Sequence, residues 1–220
     1  MNNDSTTLTN CVIDDALAHS RNVNAYGTFD IYGRRTSPSR LVATNCSFSN
    51  HTTRYTGFYN DVEIYGAVFI GQHDSSGVIA AFIGCTFANM AISSNMRGDA
   101  MAWQFGAVLY VNSQTRSPVE FTNCTITNVT NSLNTGSISG TAITAVENAS
   151  ILMANTNISE STGVVDFGLA HGGAFWLRGA SLTLANTRIE HCAVRVRASM
   201  RVVDPRSVSE DLALGGAIFA

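Results

Sequence analysis

Cys11, Cys46, Cys85 and Cys124 are spaced 35, 39 and 39 residues apart, and Thr156 and Thr187 extend the series by 32 and 31. Directly before them stand Asn10, Asn45, Gly84, Asn123, Asn155 and Asn186. Thiols at regular spacing could bridge, bind zinc or remain free. A position that accepts Thr as readily as Cys asks for a small side chain and not for sulfur. If the copies stack in parallel, their Cβ atoms lie about 4.8 Å apart, longer than the ~3.5–4.5 Å of a disulfide. A linear file cannot present a tetrahedral ligand set, and no Cys-x-x-Cys occurs. The expectation is a structural ladder of buried free thiols, with no metal and no cofactor. Cys192 lies out of this register, as a packed thiol beside a long insertion.

The elements that position this ladder follow from what surrounds it. The phrase Asn123-Cys124-Thr125-Ile126-Thr127-Asn128 occurs in six copies with small changes, and a Gly-(Ala/Thr)-apolar phrase alternates with it, as at Gly27, Gly66, Gly106, Gly140, Gly173 and Gly216. A period of this length marks a repeat array. Within each copy the apolar residues follow the period of a strand. Leu8, Ala43, Phe82, Phe121, Met153 and Leu184 stand two places before the Asn position, and Ile13, Phe48, Phe87, Ile126, Ile158 and Ile189 three places after it. The inward parity therefore shifts by one residue at Asn, which demands a bend there. Asn tolerates the left-handed conformation a bend requires, and Asn50, Asn89 and Asn128 are expected to mark the next corner. Three short strands per repeat, bent at fixed corners and stacked on those of the next repeat, describe an all-β fold, a right-handed parallel β-helix of about six coils. Residues 1–220 are read as one such segment, expected to belong to a longer chain.

The paired phrases resemble the GGA(I/L/V) and FxxN repeats of the polymorphic outer-membrane proteins of chlamydiae and of related β-helix repeat proteins of bacteria and protists. The residues that carry the likeness are Gly172-Gly173-Ala174-Phe175, Gly215-Gly216-Ala217-Ile218, Phe48-Ser49-Asn50 and Phe87-Ala88-Asn89, with FxxN shortened to Phe-x-Asn. The resemblance implies a surface-exposed passenger used for adhesion or as a structural rod. Asp14-Asp15, His171-Gly172 and Arg188-Ile189-Glu190 also resemble pieces of the polygalacturonase pattern, whose members cluster on neighbouring coils. Here Asp15 and His171 would be four coils apart, about 19 Å, too far for two groups to act on one glycosidic bond. Arg188 and Glu190 read as a surface ion pair. Arg195, Arg197, Arg201 and Arg206 could meet an acidic glycan, and Tyr55, Phe58, Tyr59, Tyr65, Trp103 and Trp176 could stack on sugars.

Seven Asn-x-Ser/Thr sequons occur. Asn45 and Asn123 are expected to be buried at the corner ladder. Asn148 in a loop and Asn157 on an outward position are the better N-glycan acceptors, with Asn3 a further candidate.

Composition narrows the classes. All 13 basic residues are Arg, which excludes lysine chemistry, and a net charge of −3 argues against a nucleic-acid partner. No apolar run reaches the ~18 residues of a membrane span. The reading is a non-catalytic extracellular or cell-surface segment, structural or adhesive, that packs end-on against like subunits or other segments of a longer chain, with glycans as candidate ligands. The alternative is a polysaccharide lyase or glycoside hydrolase of the pectate-lyase-like fold.

Overall fold

The computed structural model describes residues 5–20, 24, 28–33, 39–57, 62–72, 78–96, 101–112, 118–197, 212–214 and 216–220. Among these every regular element is a strand, and the strands form three sheets in which all pairs are parallel. The first sheet runs Ser5–Thr9, Arg40–Thr44, Ile79–Ile83, Val119–Thr122, Ser150–Ala154, Ser181–Ala185. The third runs Phe29–Gly33, Val68–Gln72, Leu109–Asn112, Ile143–Val146, Phe175–Arg178, Ile218–Phe219. The second collects the twelve strands between them. Parallel neighbours need long connections, and here each connection is a visit to the other two sheets.

Register turns the sequence periodicity into files of like side chains. Leu8, Ala43, Phe82, Phe121, Met153 and Leu184 are successive partners in the first sheet. Ile13, Phe48, Phe87, Ile126, Ile158 and Ile189 are successive partners in the second. In the third, Phe29, Val68, Leu109, Ile143, Phe175 and Ile218 follow one another. Phe82, Phe87, Phe121, Ile126, Leu109 and Phe175 are all fully buried, so the main core lies between the sheets. Files thin out at their ends: Leu184 is 39% exposed where Met153, one repeat earlier, is 0%.

The corners are set by backbone conformation. Asn10, Asn45, Asn123, Asn155 and Asn186 have φ between 49° and 54°, and Gly84 supplies 62° where Asn is missing. The second corner is made by Asp15, Asn50, Asn89, Asn128, Glu160 and His191, with φ between 51° and 56°. The left-handed region is costly for most L residues and least so for Asn and Gly. At Asn89, Asn128 and Glu160 the second corner does not end a strand: Thr86–Met96, Thr125–Ser139 and Asn157–His171 continue through it, whereas at Asp15, Asn50 and His191 two short strands flank it. Register steps from Ala88–Thr127 to Met90–Val129, so one residue turns while the ladder resumes on both sides. Strands of up to 15 residues therefore replace the three short ones expected per repeat.

A further kink needs glycine. Gly136 and Gly168 are register partners at φ 133° and 136°, and a Cβ on either would collide with the carbonyl oxygen of Ala102 or Gly136 in the neighbouring strand.

Candidate functional site

The Cys/Thr file lies just inside the first corner. Cys46, Cys85, Cys124 and Thr156 are 1–2% exposed, Cys11 is half-buried, and all five cysteines of the chain are free. Each heteroatom does two jobs. The Cys85 Sγ–H lies 3.4 Å from the Ala43 carbonyl oxygen, the Cys124 Sγ–H 3.2 Å from that of Phe82, and Thr156 and Thr187 donate to Phe121 and Met153 in the same way. As acceptors, the Cys46, Cys85 and Cys124 sulfurs take the backbone N–H of Cys11, Cys46 and Cys85, and Thr156 Oγ1 takes that of Cys124. The parity shift at Asn turns that N–H inward, away from the strand ladder, and a buried donor needs a partner. The slot thus asks for a small side chain that donates and accepts, a requirement beyond size alone. Cys192 has the same role at the second corner, where it accepts from the Ser161 N–H and donates to the Glu190 carbonyl.

Burial pushes the Cys46 and Cys192 thiols up from their ordinary range. The neighbouring Cys85 thiol, with burial, holds the Cys124 thiol far above it. The Cys46, Cys124 and Cys192 sulfurs are poor nucleophiles. Thr156→Val, which keeps the shape and removes the hydroxyl, is expected to cost about 1–2 kcal/mol. Thr156→Cys is expected to stay within about 1 kcal/mol, and urea unfolding compares the two.

A polar ladder runs along the second corner. Asn128 Nδ2 donates to Asn89 Oδ1 at 2.7 Å, Asn89 Nδ2 to Asn50 Oδ1 at 2.9 Å, and Asn50 Nδ2 to Asp14 Oδ1 at 2.8 Å. Ser49 Oγ also donates to Asp14, and these two bonds hold that carboxyl below its ordinary range. The amides of the Asn50 and Asn128 sequons are therefore engaged. Asn45 and Asn123, expected to be buried, are exposed: their corner role lies in φ and not in packing. Asn10, Asn155 and Asn186 are exposed likewise, with Asn186 Nδ2 donating to Asn155 Oδ1 at 3.3 Å. Asn148 is exposed in a turn at φ 63°. Asn157 is half-buried with its Oδ1 shielded from solvent, which makes it the poorer acceptor of the two. Asn3 lies outside the described residues, as do Phe58, Tyr59, Arg201 and Arg206.

The acid–base residues do not converge. Asp14 and Glu190 share a file but stand at its opposite ends, linked through Ser49, Ala88, Thr127 and Ser159. Five strand spacings separate them, about 24 Å. His171 closes the far end of the strand Asn157–His171. Arg188 and Glu190 form an exposed ion pair at 2.6 Å.

Two features were not foreseen from the sequence. The first is a small outer core on the third sheet, where Tyr65, Phe69 and Tyr110 are 5–7% exposed and pack with Phe105 and Trp176. Tyr65 lies 4.7 Å from both Phe69 and Tyr110 between ring centres, and Tyr65 Oη donates to Glu63 at 2.5 Å. Burial, with Glu63 and Glu147 nearby, pushes Tyr110 up to about 12. The Arg178 guanidinium lies 5.7 Å above Trp176. These rings fill one another's space, so Tyr65 and Trp176 are packing residues first. The second feature is a groove of about 390 Å³ on the outside of the second sheet, lined by Asn95, Ser132, Asn134, Thr162, Asp166 and Arg197 among others. Arg197 Nη1 stands 3.7 Å from Asp166 Oδ1 at its edge.

Fold and files define the class as an all-β repeat protein of parallel sheets. Comparison of the chain with protein-family models, with curated proteins and with solved structures finds no match.

Proposed function

We propose that the three parallel sheets are the walls of one right-handed parallel β-helix, and that the chain is a non-catalytic extracellular or cell-surface segment acting as a structural or adhesive rod. The hand follows from the strong right-handed preference of parallel crossovers. The observation that carries the reading is the repeated file: six repeats place like residues in register in all three sheets, with side chains at the corners spent on hydrogen bonds to the backbone and to one another. Such a body is stiff along its stacking axis, and its loops can vary without disturbing it. Its relation to the GGA(I/L/V)/FxxN proteins remains at the level of those motifs.

Polar surface supports an outer-surface location. Asn148 presents an exposed sequon, and the groove beside Asp166 and Arg197 offers hydroxyls and amides suited to a glycan. The hydrolase alternative needs two carboxylates at one bond, and Asp166 is the one carboxylate lining that groove. Edge strands such as Ser181–Ala185 can accept a further parallel strand, so end-on packing by a like subunit or by further repeats belongs to the same proposal.

The test has two arms. The protein passed through a eukaryotic secretory pathway is expected to yield a glycopeptide containing Asn148 by mass spectrometry. Incubated with acidic polysaccharides, it is expected to release neither unsaturated products nor new reducing ends. Product release would overturn the non-catalytic reading, and an unmodified Asn148 would remove the support from glycosylation.

A further inference from the structure

Inside the stack, one stretch of core is polar. Gln104 and Thr141 are 0% exposed and Asn131 is 1% exposed. Gln104 Nε2 donates to the Ser132 carbonyl at 2.7 Å and to Ser94 Oγ at 3.2 Å, which places the Gln104 amide against the backbone next to Asn131. Gln104 Oε1, Thr141 Oγ1 and both amide atoms of Asn131 are shielded from bulk solvent and have no hydrogen-bond partner among the described residues. Reversing the Asn131 amide would not help, because its oxygen and nitrogen are equally unpaired.

The file through Asn131 is interrupted by a glycine. It runs Thr53, Ile92, Asn131, Gly163, Val194. Ile92 and Val194 present branched side chains at their levels, while Gly163, directly beside Asn131, presents none. A Cβ on Gly163 would lie 2.8 Å from Thr141 Oγ1, 3.1 Å from Val194 Cγ1 and 3.4 Å from Ile138 Cγ2. Thr141 Oγ1 therefore takes the place that a side chain at Gly163 would need, close beside the Asn131 register position. Gln104 borders the same place from the preceding repeat, under its register partner Ile138. Four unpaired polar atoms thus lie close together where consecutive repeats meet.

We propose that this cluster of polar atoms binds ordered water, one or two molecules that bridge the Asn131 amide to Thr141 Oγ1 and Gln104 Oε1. A buried water typically makes about three hydrogen bonds and occupies sites with two to four polar partners. Four atoms of both donor and acceptor type meet that need, whereas leaving them bare would carry a desolvation penalty at each. The site joins neighbouring repeats through solvent where the apolar file is broken at Asn131 and Gly163.

A high-resolution crystal structure of the intact chain is expected to show density within hydrogen-bond distance of both Asn131 side-chain atoms. A dry site, or an Asn131 amide bonded directly to protein on both atoms, overturns the proposal. Asn131→Leu gives an independent reading. If water satisfies the cluster, the leucine displaces it and strands Thr141 and Gln104, and Tm falls by several degrees. If Asn131 is a bare polar group, the same substitution removes an unpaired amide and Tm rises, which overturns the proposal even without a crystal.

Discussion

Phe87→Ala is expected to lower stability by about 3–5 kcal/mol, the range for emptying a buried phenylalanine site. Phe87 is fully buried and stacks on Phe48 at 4.7 Å between ring centres with the planes 5° apart. It also meets Phe82 at 5.4 Å and Phe121 at 5.9 Å, both edge-on. The block joins the first and second sheets across three successive repeats, so its rings cannot close over a void without breaking register. Interior packing is dense, and collapse around a cavity is only partial. Phe87→Leu, which keeps most of the volume, is expected to lose much less. Urea unfolding followed by circular dichroism would decide, and a Phe87→Ala loss below about 1 kcal/mol would mean that the block is not the centre of the core.

Acidification is expected to weaken the fold through His51. Its side chain is 3% exposed, with Nδ1 2.9 Å from Thr28 Oγ1 and Nε2 3.2 Å from Thr53 Oγ1. The neutral ring can donate at one nitrogen and accept at the other, which suits two hydroxyls. Burial without a neighbouring carboxylate lowers its pKa from 6.5 to about 4. Between those values the unfolded chain binds the proton and the folded protein does not, so stability is full above pH 6.5 and declines as pH falls toward 4. The shift corresponds to about 3 kcal/mol lost across that window. His171, also lowered by burial, adds in the same direction. His51→Gln is expected to flatten the decline in urea midpoint between pH 7 and pH 4, and an unchanged slope in that variant would remove His51 as its cause.

Much of the architecture can be read from the chain because its signals are local and repeated. Asn45 and Asn123 mark a corner through a backbone preference that any single copy expresses, and Phe48, Phe87 and Ile126 reveal a face through strict alternation. What escaped notice breaks the rule of alternation. Val68-Phe69-Ile70 and Leu109-Tyr110-Val111 are continuous apolar runs, the mark of a strand covered on both faces. That signal was available for the outer core but is easily read as the inner file alone. Gln104, Asn131 and Thr141 are polar at inward positions, which alternation cannot anticipate: the reason lies in contacts between repeats more than 20 residues apart. The Cys/Thr slot was found from spacing, but its donor and acceptor roles depend on where the bend at Asn sends an N–H group. Exposure at Asn45 and Asn123 was misjudged for a related reason, since the left-handed corner that moves the backbone inward also turns the side chain out.

The register pairs span similar lengths of chain, from 31 residues between Ser150 and Ser181 to 43 between Leu169 and Leu212. The entropy lost on closing a loop grows only with the logarithm of its length, so the two extremes differ by about 0.3 kcal/mol. Adding a dozen residues to an excursion between sheets is nearly free, whereas changing one residue within a file is not. No described ladder pair links the beginning of the chain to its end, so zipping can start at the phenylalanine block and advance in both directions, each new turn closing a loop of almost constant cost.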